Sequence, residues 1–576
     1  MAVAERRPLH RLGRAGGALT LLAAAALAAG CESAPAASTG GVPGAGASPA
    51  VRAAAPASGA EILLAESLAV ELPEPGLAEI APTASPLREL LESAAAGGLR
   101  VTHDRSAPLP IGPTSVTWTA WEGAPNQSAA RATRQGWVYV FPHGTTPVGA
   151  THKHNALASN HSAKIVRDAA GKIHMAWLET RLLGGRRRED RVVYRRAAQD
   201  GATGRIAFET EVTPVSEPGG AGPRSFLAIE ASPGAVHLAW FGGRTTLYRR
   251  LVLRGGAWNF ERVRDTGAAG SAHDTGPDLG VRGDDEIHVV TPVGQYAVST
   301  NGGAGWTRDR LPGRAGLRIK NTALAVDREG NVHAVYTVPV RSPAHWSGDR
   351  PHGGYWELAY ARRRPGGGWV DVQNALAGSP AWADQGPQRD SLADWADIAV
   401  DAKGNLHVAF HGTANTGIFG RDEAYYVRRP AIGAGAWGPW ETAKPLHPVD
   451  PERGTLFSFG PSLGLAPDGD TVVALVFFEL RGYPREIFDS DAVIVRDGAV
   501  DGAPIPVSQM ARRAKRPADA LGNWFPSTAP RIHRQPDGRL WLDTLQVAET
   551  PEPHGAAHPV VYQRIDVTER LARSAR

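Results

Sequence analysis

The sequence predicts an all-β chain folded as a β-propeller of four-stranded blades, behind an N-terminal stretch without a core of its own. Three observations lead to this prediction. A turn-and-strand phrase recurs along the chain, other β-prone runs flank each copy, and the first hundred residues differ in composition from the rest. Seven copies of the phrase favour seven blades, and six blades with irregular parts remain the alternative.

The first residues have the features of an export signal. Residues 1–30 combine four arginines with an apolar run shorter than the roughly 20 residues that a membrane-spanning helix needs. Cys31, the only cysteine, follows directly, and "LAAGC" resembles the bacterial lipobox, whose cysteine carries a lipid. We therefore expect a lipid anchor at Cys31 and a place in the cell envelope, at the periplasmic or outer-membrane face. A cleavable secretory signal with a chance cysteine is the alternative.

The next segment, residues 31–100, is rich in alanine, proline, glycine and serine. Such a composition buries too little apolar surface to offset the entropy of ordering, so a flexible tether is predicted. A short helix is expected at Ser85–Gly98. Residues 101–576 are left for the propeller.

Charge and cysteine content exclude several classes of function. Outside residues 1–30 the chain has 58 basic and 57 acidic residues, and its arginines are scattered rather than grouped with aromatics. This pattern predicts no nucleic-acid partner. A single cysteine excludes disulfides and thiolate metal sites, and the sequence predicts no cofactor.

The recurring phrase is a tight Gly, Asp or Asn turn followed by an alternating β-prone run. A β run precedes each turn, and a third run with a Tyr-Arg signature follows, often with a glycine turn and a tryptophan. The last unit has only three strands, and we expect an N-terminal strand, near Ser115 or Gly136, to complete it and close the ring. The copies of the phrase begin at Ala169, Ser232, Gly283, Arg328, Ala402, Pro467 and Pro536.

One turn within the repeat has a recognisable motif. Ser299-x-Asn301-x-Gly303-x-x-Trp306 resembles the Asp-box, or BNR repeat, of the sialidase superfamily, with Asn301 where aspartate is usual. The repeat that carries it covers roughly residues 112–566, and the resemblance implies a propeller. Turns after strands one and three share one face of a blade, and they are short here. We therefore assign this turn to the scaffold.

The opposite face receives the turn after strand two and the approach to strand one. Long connections rich in Arg, His, carboxylates and aromatics collect there, which is where rigid scaffolds commonly carry binding sites. Such side chains suit an acidic sugar, although solubilising loops would also be polar. The predicted ligand-binding residues on this face are Asn160, Arg224, His273, Asp274, Lys320, Asn321, Asp394, His411 and Arg481.

Five histidines recur at one position of the phrase. Equivalent positions on different blades are spread around a ring, so no metal site is predicted from them. We expect packing and hydrogen-bonding roles instead. The five are His174, His237, His288, His333 and His407.

Two enzyme families share this kind of repeat. A sialidase resemblance would imply an arginine triad, a tyrosine nucleophile paired with glutamate, and an aspartic acid as general acid. No R-I-P phrase occurs near the first blade, so no catalytic residue is carried over. His154–Trp177 resembles the first blade of BNR-type polysaccharide lyases. That resemblance implies His161 as the base, with Arg224 or Arg481 neutralising a uronate carboxylate.

The sequence thus favours a cell-envelope lipoprotein whose propeller recognises an extracellular, acidic glycan. A glycan-cleaving enzyme, either a sialidase-like hydrolase or a polysaccharide lyase, is the alternative. A protein-interaction platform is the third possibility, so whether the chain is an enzyme stays open.

Overall fold

The computed structural model describes most of the chain from residue 99 onward and two short strands before it. The described ranges are 67–71, 79–80, and 99–572 without 123–128, 143, 154, 159–161, 183–187, 200–205, 210–211, 218–225, 256, 271–275, 314–318, 340–355, 380–391, 414–422, 434, 448–454, 481–486, 508–521 and 550–556. Within them the chain is β-strand apart from turns and one short helix, α1 (Thr568–Ala572). No helix in these ranges has the length and apolar character to cross a bilayer.

An N-terminal sheet precedes the propeller. The strands before the propeller are β1 (Ser67–Glu71), β2 (Glu79–Ile80), β3 (Leu99–His103), β4 (Leu109–Pro110), β5 (Gly112–Glu122) and β6 (Ala129–Phe141). The sheet has the order β1-β6-β5-β3, with β1 parallel to β6, and β2 pairs with β4 in a separate sheet. Tyr139 and Phe141 of the larger sheet are buried against Ala548 and Val561. The residues that we expected to form the tether contain β1, β2 and the start of β3.

Seven antiparallel sheets follow, and they are the seven predicted blades. In blades one to six the strands follow chain order from the inside outward. Blade one has β8 (Ile165–Arg167), β9 (Ile173–Leu182), β10 (Arg188–Gln199), β11 (Ile206–Phe208) and β12 (Thr213–Pro214). Blade two has β13 (Leu227–Ala231), β14 (Ala235–Phe241), β15 (Thr245–Arg254), β16 (Ala257–Phe260) and β17 (Arg264–Ala269). Blade three has β18 (Asp278–Arg282), β19 (Glu286–Val290), β20 (Gln295–Ser299) and β21 (Thr307–Arg310).

The next three blades have the same plan. Blade four has β22 (Lys320–Val326), β23 (Val332–Pro339), β24 (Trp356–Arg363) and β25 (Trp369–Asn374). Blade five has β26 (Leu392–Val400), β27 (Leu406–Thr413), β28 (Glu423–Arg429) and β31 (Lys444–His447), with a side hairpin of β29 (Ala431–Gly433) and β30 (Ala436–Trp437). Blade six has β32 (Thr455–Leu465), β33 (Thr471–Leu480), β34 (Phe488–Arg496), β35 (Ala499–Val500) and β36 (Ile505–Pro506).

Blade seven closes the ring with a strand from the N-terminal side, as predicted, but the strand is not one of the two expected. The runs at Ser115 and Gly136 pair with each other in β5 and β6, so neither is available for closure. Instead β7 adds to β40. The blade consists of β37 (Gly522–Thr528), β38 (His533–Arg534), β39 (Leu540–Glu549), β40 (His558–Asp566) and β7 (Thr145–Thr151).

The closing strand fits because one of its residues has no side chain. A Cβ on Gly149 would lie 2.3 Å from Cζ2 of Trp177, the buried tryptophan of blade one. The glycine therefore lets β7 lie directly on the indole ring. Blade seven is thereby packed against blade one at the point of closure.

The five recurring histidines are internal hydrogen-bonding residues, as predicted. In every copy Nδ1 lies 2.5 to 2.8 Å from the hydroxyl of a tyrosine on the third strand of the same blade. In blades one, four and five Nε2 also meets the aspartate of the preceding turn. The pairs are His174–Tyr194, His237–Tyr248, His288–Tyr296, His333–Tyr360 and His407–Tyr426.

The tyrosines of these pairs also bind neighbouring blades together. Trp306 of the Asp-box-like turn packs edge-on against Tyr248 of the blade before it, with ring centroids 5.2 Å apart. Trp369 and Trp440 do the same one and two blades later. Within the turn, the Gly305 amide donates to Asn301 Oδ1 at 2.8 Å. The turn that stood out in the sequence therefore serves blade packing.

The inner strands are tied into a ring by a second set of contacts. The Leu324 amide donates to Asp278 and the Leu463 amide to Asp397, each at 2.7 Å and each from one blade to the blade before it. Serines do the same between blades six, seven and one, through Ser462 and Ser527. These bonds fix where each inner strand starts relative to its neighbour.

Candidate functional site

The inner strands of blades four to seven share an irregularity. Each contains extra residues relative to its partner strand, which are β-bulges. In blades four, five and seven a residue with positive φ lies in the bulge: Asn321 (50°), Trp395 (45°) and Phe525 (44°). Residues other than glycine rarely adopt this backbone conformation, and it is often found at functional sites.

The residues around these bulges form one group, which we call the axial cluster. It contains residues from blades four, five and seven. Its members are Lys320, Asn321, Thr337, Asp394, Trp395, His411 and Phe525.

Asp394 is the centre of the axial cluster. Lys320 Nζ lies 3.3 Å from its Oδ2, and its Oδ1 accepts hydrogen bonds from the Asn321 side-chain amide, from Thr337 Oγ1 at 3.2 Å and from the Trp395 amide at 3.0 Å. The residue is 4% exposed. A buried carboxylate with this many donors is held in one orientation, and it orients its donors in turn.

Electrostatics keep this carboxylate ionised. Burial alone would raise the pKa of Asp394, but the positive charge of Lys320, the proximity of His411 and the hydrogen bonds from Asn321 and the Trp395 amide outweigh burial and lower it. Asp394 is thus a fixed negative charge behind Lys320. It cannot donate a proton at neutral pH.

His411 lies directly opposite Asp394 in the ladder between β26 and β27. Its ring meets the Trp395 indole edge-on, with centroids 4.9 Å apart. Trp395 also reaches Phe525 at 5.6 Å, although blade six lies between their blades. Non-adjacent blades approach only where the inner strands converge, so the indole lies over the axis.

The Asn321 side chain has a buried polar atom without a hydrogen bond. Asn321 is 1% exposed, its Nδ2 donates to Asp394, and its Oδ1 is buried without a hydrogen bond. The amide cannot be turned around, because Asp394 can only accept. A buried acceptor without a donor is costly, so the site is suited to a ligand that brings one.

A second charged group occupies the axis further down the inner strands. Lys164 Nζ donates to the Ser162 carbonyl at 2.6 Å and to its hydroxyl at 2.7 Å. Burial lowers the pKa of Lys164 to about 7, against the opposing charges of Asp278 and Asp397. Burial likewise raises the pKa of Asp278 and of Glu230 to about 7 each, and that of Asp397 well above its usual range.

These axial groups come from blades one, two, three and five, so they fill the centre of the ring. In the described part of the chain, no group of three or more His, Cys, Asp or Glu side chains has an arrangement that could hold a metal ion. The positive charge of Lys164 opposes the effect of burial on the pKa of Asp278 and of Asp397.

The structure brings together four of the predicted site residues. Lys320, Asn321, Asp394 and His411 all lie in the axial cluster, and their role in binding stays a prediction. Trp395 and Phe525 were not predicted, since no glycine marks the bulges that place them. Thr337, which lies opposite Lys320 on strand two of blade four, was not predicted either. Outside the described residues lie Asn160, His161, Arg224, His273, Asp274 and Arg481.

Comparison with known proteins gives structural likeness without a family. No family model matches the chain, and no curated protein matches it. A polysaccharide lyase, an ulvan lyase, is 11% identical over 74% of this chain and 95% of its own, with a TM-score of 0.43. An α-L-arabinanase of Penicillium chrysogenum is 13% identical over 62% of this chain and 97% of its own, with a TM-score of 0.34.

A protein of unknown function from Dyadobacter fermentans is similar at the same level. It is 12% identical over 73% of this chain and 99% of its own, with a TM-score of 0.35. Two of the three similar structures act on glycans by their names. Likenesses of this size carry no inference about the activity of the present chain.

Proposed function

We propose that this protein is a cell-envelope propeller that binds an acidic glycan at the axial cluster, and that a lipid on Cys31 anchors it. The observation that carries the proposal is the Asn321 side chain. Its buried Oδ1 needs a donor, and its position is fixed by Asp394. A sugar hydroxyl supplies such a donor.

The neighbours of Asn321 supply the other features of a sugar site. Trp395 is half-buried and offers an aromatic surface against which the apolar face of a sugar ring can pack. The Lys320 side chain, which contacts Asp394, is 33% exposed. Its positive charge favours a carboxylate or sulfate on the ligand. A rigid aromatic surface with a few fixed polar groups is typical of small-ligand sites.

Glycan cleavage is a second candidate, favoured by the Asp394–His411 pair. The two residues lie opposite each other, and a histidine close to an ionised carboxylate is a candidate general base. Asp394 is held ionised and so cannot be the general acid, which leaves His411, or His161 outside the described residues, as the base of a lyase. Binding is the better-supported function because it needs only the groups in the axial cluster.

The test uses the full-length protein purified in detergent. Uronate-containing and sialylated oligosaccharides are titrated by calorimetry, and the same mixtures are then analysed by mass spectrometry. Saturable binding that Asn321→Ala weakens, with unchanged masses, supports the proposal. Products whose summed mass exceeds the substrate mass by one water show a hydrolase. Products whose masses sum to the substrate mass, one of them a water lighter than the hydrolysis product, show a lyase. Absence of binding across the panel contradicts the proposal.

The anchor is tested separately. Cells are fed an alkyne-labelled fatty acid, and the protein is examined for label. We expect label on the natural chain and none on Cys31→Ser. An unlabelled natural chain would contradict the lipid anchor without bearing on the glycan site.

A further inference from the structure

Blade five carries a row of aligned side chains that runs outward from the axial cluster. Asp394 pairs with His411, His411 with Ala424, and Ala424 with His447 in successive ladders. Directly opposed residues in neighbouring strands project from the same face of a sheet. The row therefore links the axis to the outer edge of the blade.

The row ends in a buried polar group that the axial cluster does not use. His447 stacks on Phe478 of blade six, with ring centroids 4.5 Å apart and planes 12° apart. Its Nε2 lies 3.2 Å from Asp491 Oδ2. We call His447, Phe478 and Asp491 the outer subsite.

His447 has an unused hydrogen-bonding atom. The residue is 9% exposed, and its Nδ1 is buried without a partner. Because Asp491 accepts, Nε2 carries the proton, and Nδ1 of the neutral ring is then an acceptor. This repeats the situation at Asn321, where a second buried acceptor also lacks a donor.

Both acceptors lie at one end of the propeller. In an antiparallel blade, the starts of strands one and three and the ends of strands two and four lie on the same face. Asn321 is near the start of a first strand, His411 is near the end of a second strand, and Ala424 is near the start of a third. His447 ends a fourth strand. Neighbouring strands are ~4.8 Å apart, so four strands place the two ends of the row about 14 Å from each other. A single sugar ring cannot reach both.

We propose that the outer subsite is a second sugar-binding position, and that the ligand is an oligosaccharide lying radially along blade five. The inference rests on the proposed function, since it extends the same ligand outward. Trp395 and Lys320 hold the axial end. At the outer end, one hydroxyl donates to His447 Nδ1.

Calorimetric titration of full-length protein with uronate oligosaccharides of two, four and six sugars tests this. His447→Phe keeps a ring on Phe478 but removes both nitrogens, whereas His447→Asn keeps a polar atom close to the position of Nδ1. We expect His447→Phe to bind the disaccharide as the natural protein does and the hexasaccharide about tenfold more weakly. His447→Asn should recover part of that loss.

Trp395→Ala is the matched control at the axial end, and it should weaken binding at every length. Equal affinities of His447→Phe and the natural protein at every length would overturn the outer subsite and leave the proposed function intact. An equal loss at all lengths would also overturn it, because a merely structural role has that effect. If the natural protein binds none of the three, the proposed function itself fails.

A variant that does not fold is recognised by thermal unfolding. Phe478→Leu then replaces His447→Phe, because it removes the stacked ring and leaves both nitrogens of His447 in place. It should again weaken only the longer ligands. Unchanged hexasaccharide binding by a folded Phe478→Leu would count against the outer subsite.

Discussion

Trp395 of blade five and Phe525 of blade seven contact each other across the top of blade six, and both have the left-handed backbone conformation. Their φ angles are 45° and 44°, and their ring centroids are 5.6 Å apart. Two aromatic residues kept in an unfavourable conformation bring their rings over the propeller axis. The contact between the rings, together with that of Trp395 on His411, is a reason for aromatic residues rather than glycine at these positions.

Replacing Trp395 therefore separates backbone strain from side-chain function. Trp395→Gly relieves the left-handed backbone and should be more stable than Trp395→Ala by about 1 kcal/mol. Both variants lack the indole and should bind the glycan at least tenfold more weakly. Chemical denaturation and calorimetry measure the two effects, and equal stability of the two variants would contradict the strain argument.

Asp394→Asn should weaken both the fold and the site. Removing the charge takes away the ion pair with Lys320, and a cost of about 1–3 kcal/mol is expected for a buried hydrogen-bonded carboxylate. The pKa of Asp394 is lowered in the folded protein. Its contribution to stability is therefore present above the ordinary pKa of about 3.9 and is lost as pH falls through the lowered value.

The measurement is the denaturation free energy of both proteins at several pH values. The difference between Asp394→Asn and the natural protein should be largest at neutral pH and shrink in acid. A difference that grows as pH falls would contradict the assignment of Asp394 as an ionised group.

His288 should make the fold sensitive to acid. Burial lowers the pKa of His288 to about 4, helped by the charges of Arg363 and Arg282. Below the ordinary value of about 6.5 the unfolded chain binds a proton that the folded chain does not, so stability falls with pH by ~1.4 kcal/mol per unit until about 4. His288→Gln should remove that share of the slope, as measured by denaturation between pH 7 and pH 4.

The strands could be predicted from the sequence more fully than the site could. Lys320, Asn321, Asp394 and His411 come together because the repeat fixes which residues start strand one and end strand two. Trp395 and Phe525 were not predicted, because the alternation of apolar and polar residues along a strand does not show where a bulge inserts an extra residue. A positive φ at an aromatic residue is set by its tertiary contacts, which no local pattern contains.

The identity of the closing strand could not be predicted from local sequence either. The runs at Ser115 and Gly136 have stronger β patterns than Thr145–Thr151, which contains Pro147 and Gly149. Local propensity therefore favoured the wrong strand. The selection depends on Trp177, whose indole accepts only a glycine at that position.

Gly149→Ala tests this directly. The added Cβ would overlap Trp177, and a loss of more than about 2 kcal/mol is expected because Trp177 is buried and the backbone of Gly149 is paired with Val560. Gly433→Ala is the control, since its Cβ would meet nothing within 4 Å. Equal stability of the two variants in urea denaturation would show that β7 can shift away from blade one.

Pairing of β7 with β40 joins Thr151 to His558, so the first strand of the propeller is also the last to find its partner. Each blade from one to six can assemble as its own strands are synthesised. Blade seven cannot, because β7 must wait for β40, which is synthesised after all six other blades. A chain that stops short of His558 keeps β7 unpaired and the ring open, with strand edges exposed to proteases and to other chains. Closure of the ring therefore requires that synthesis has continued past β40.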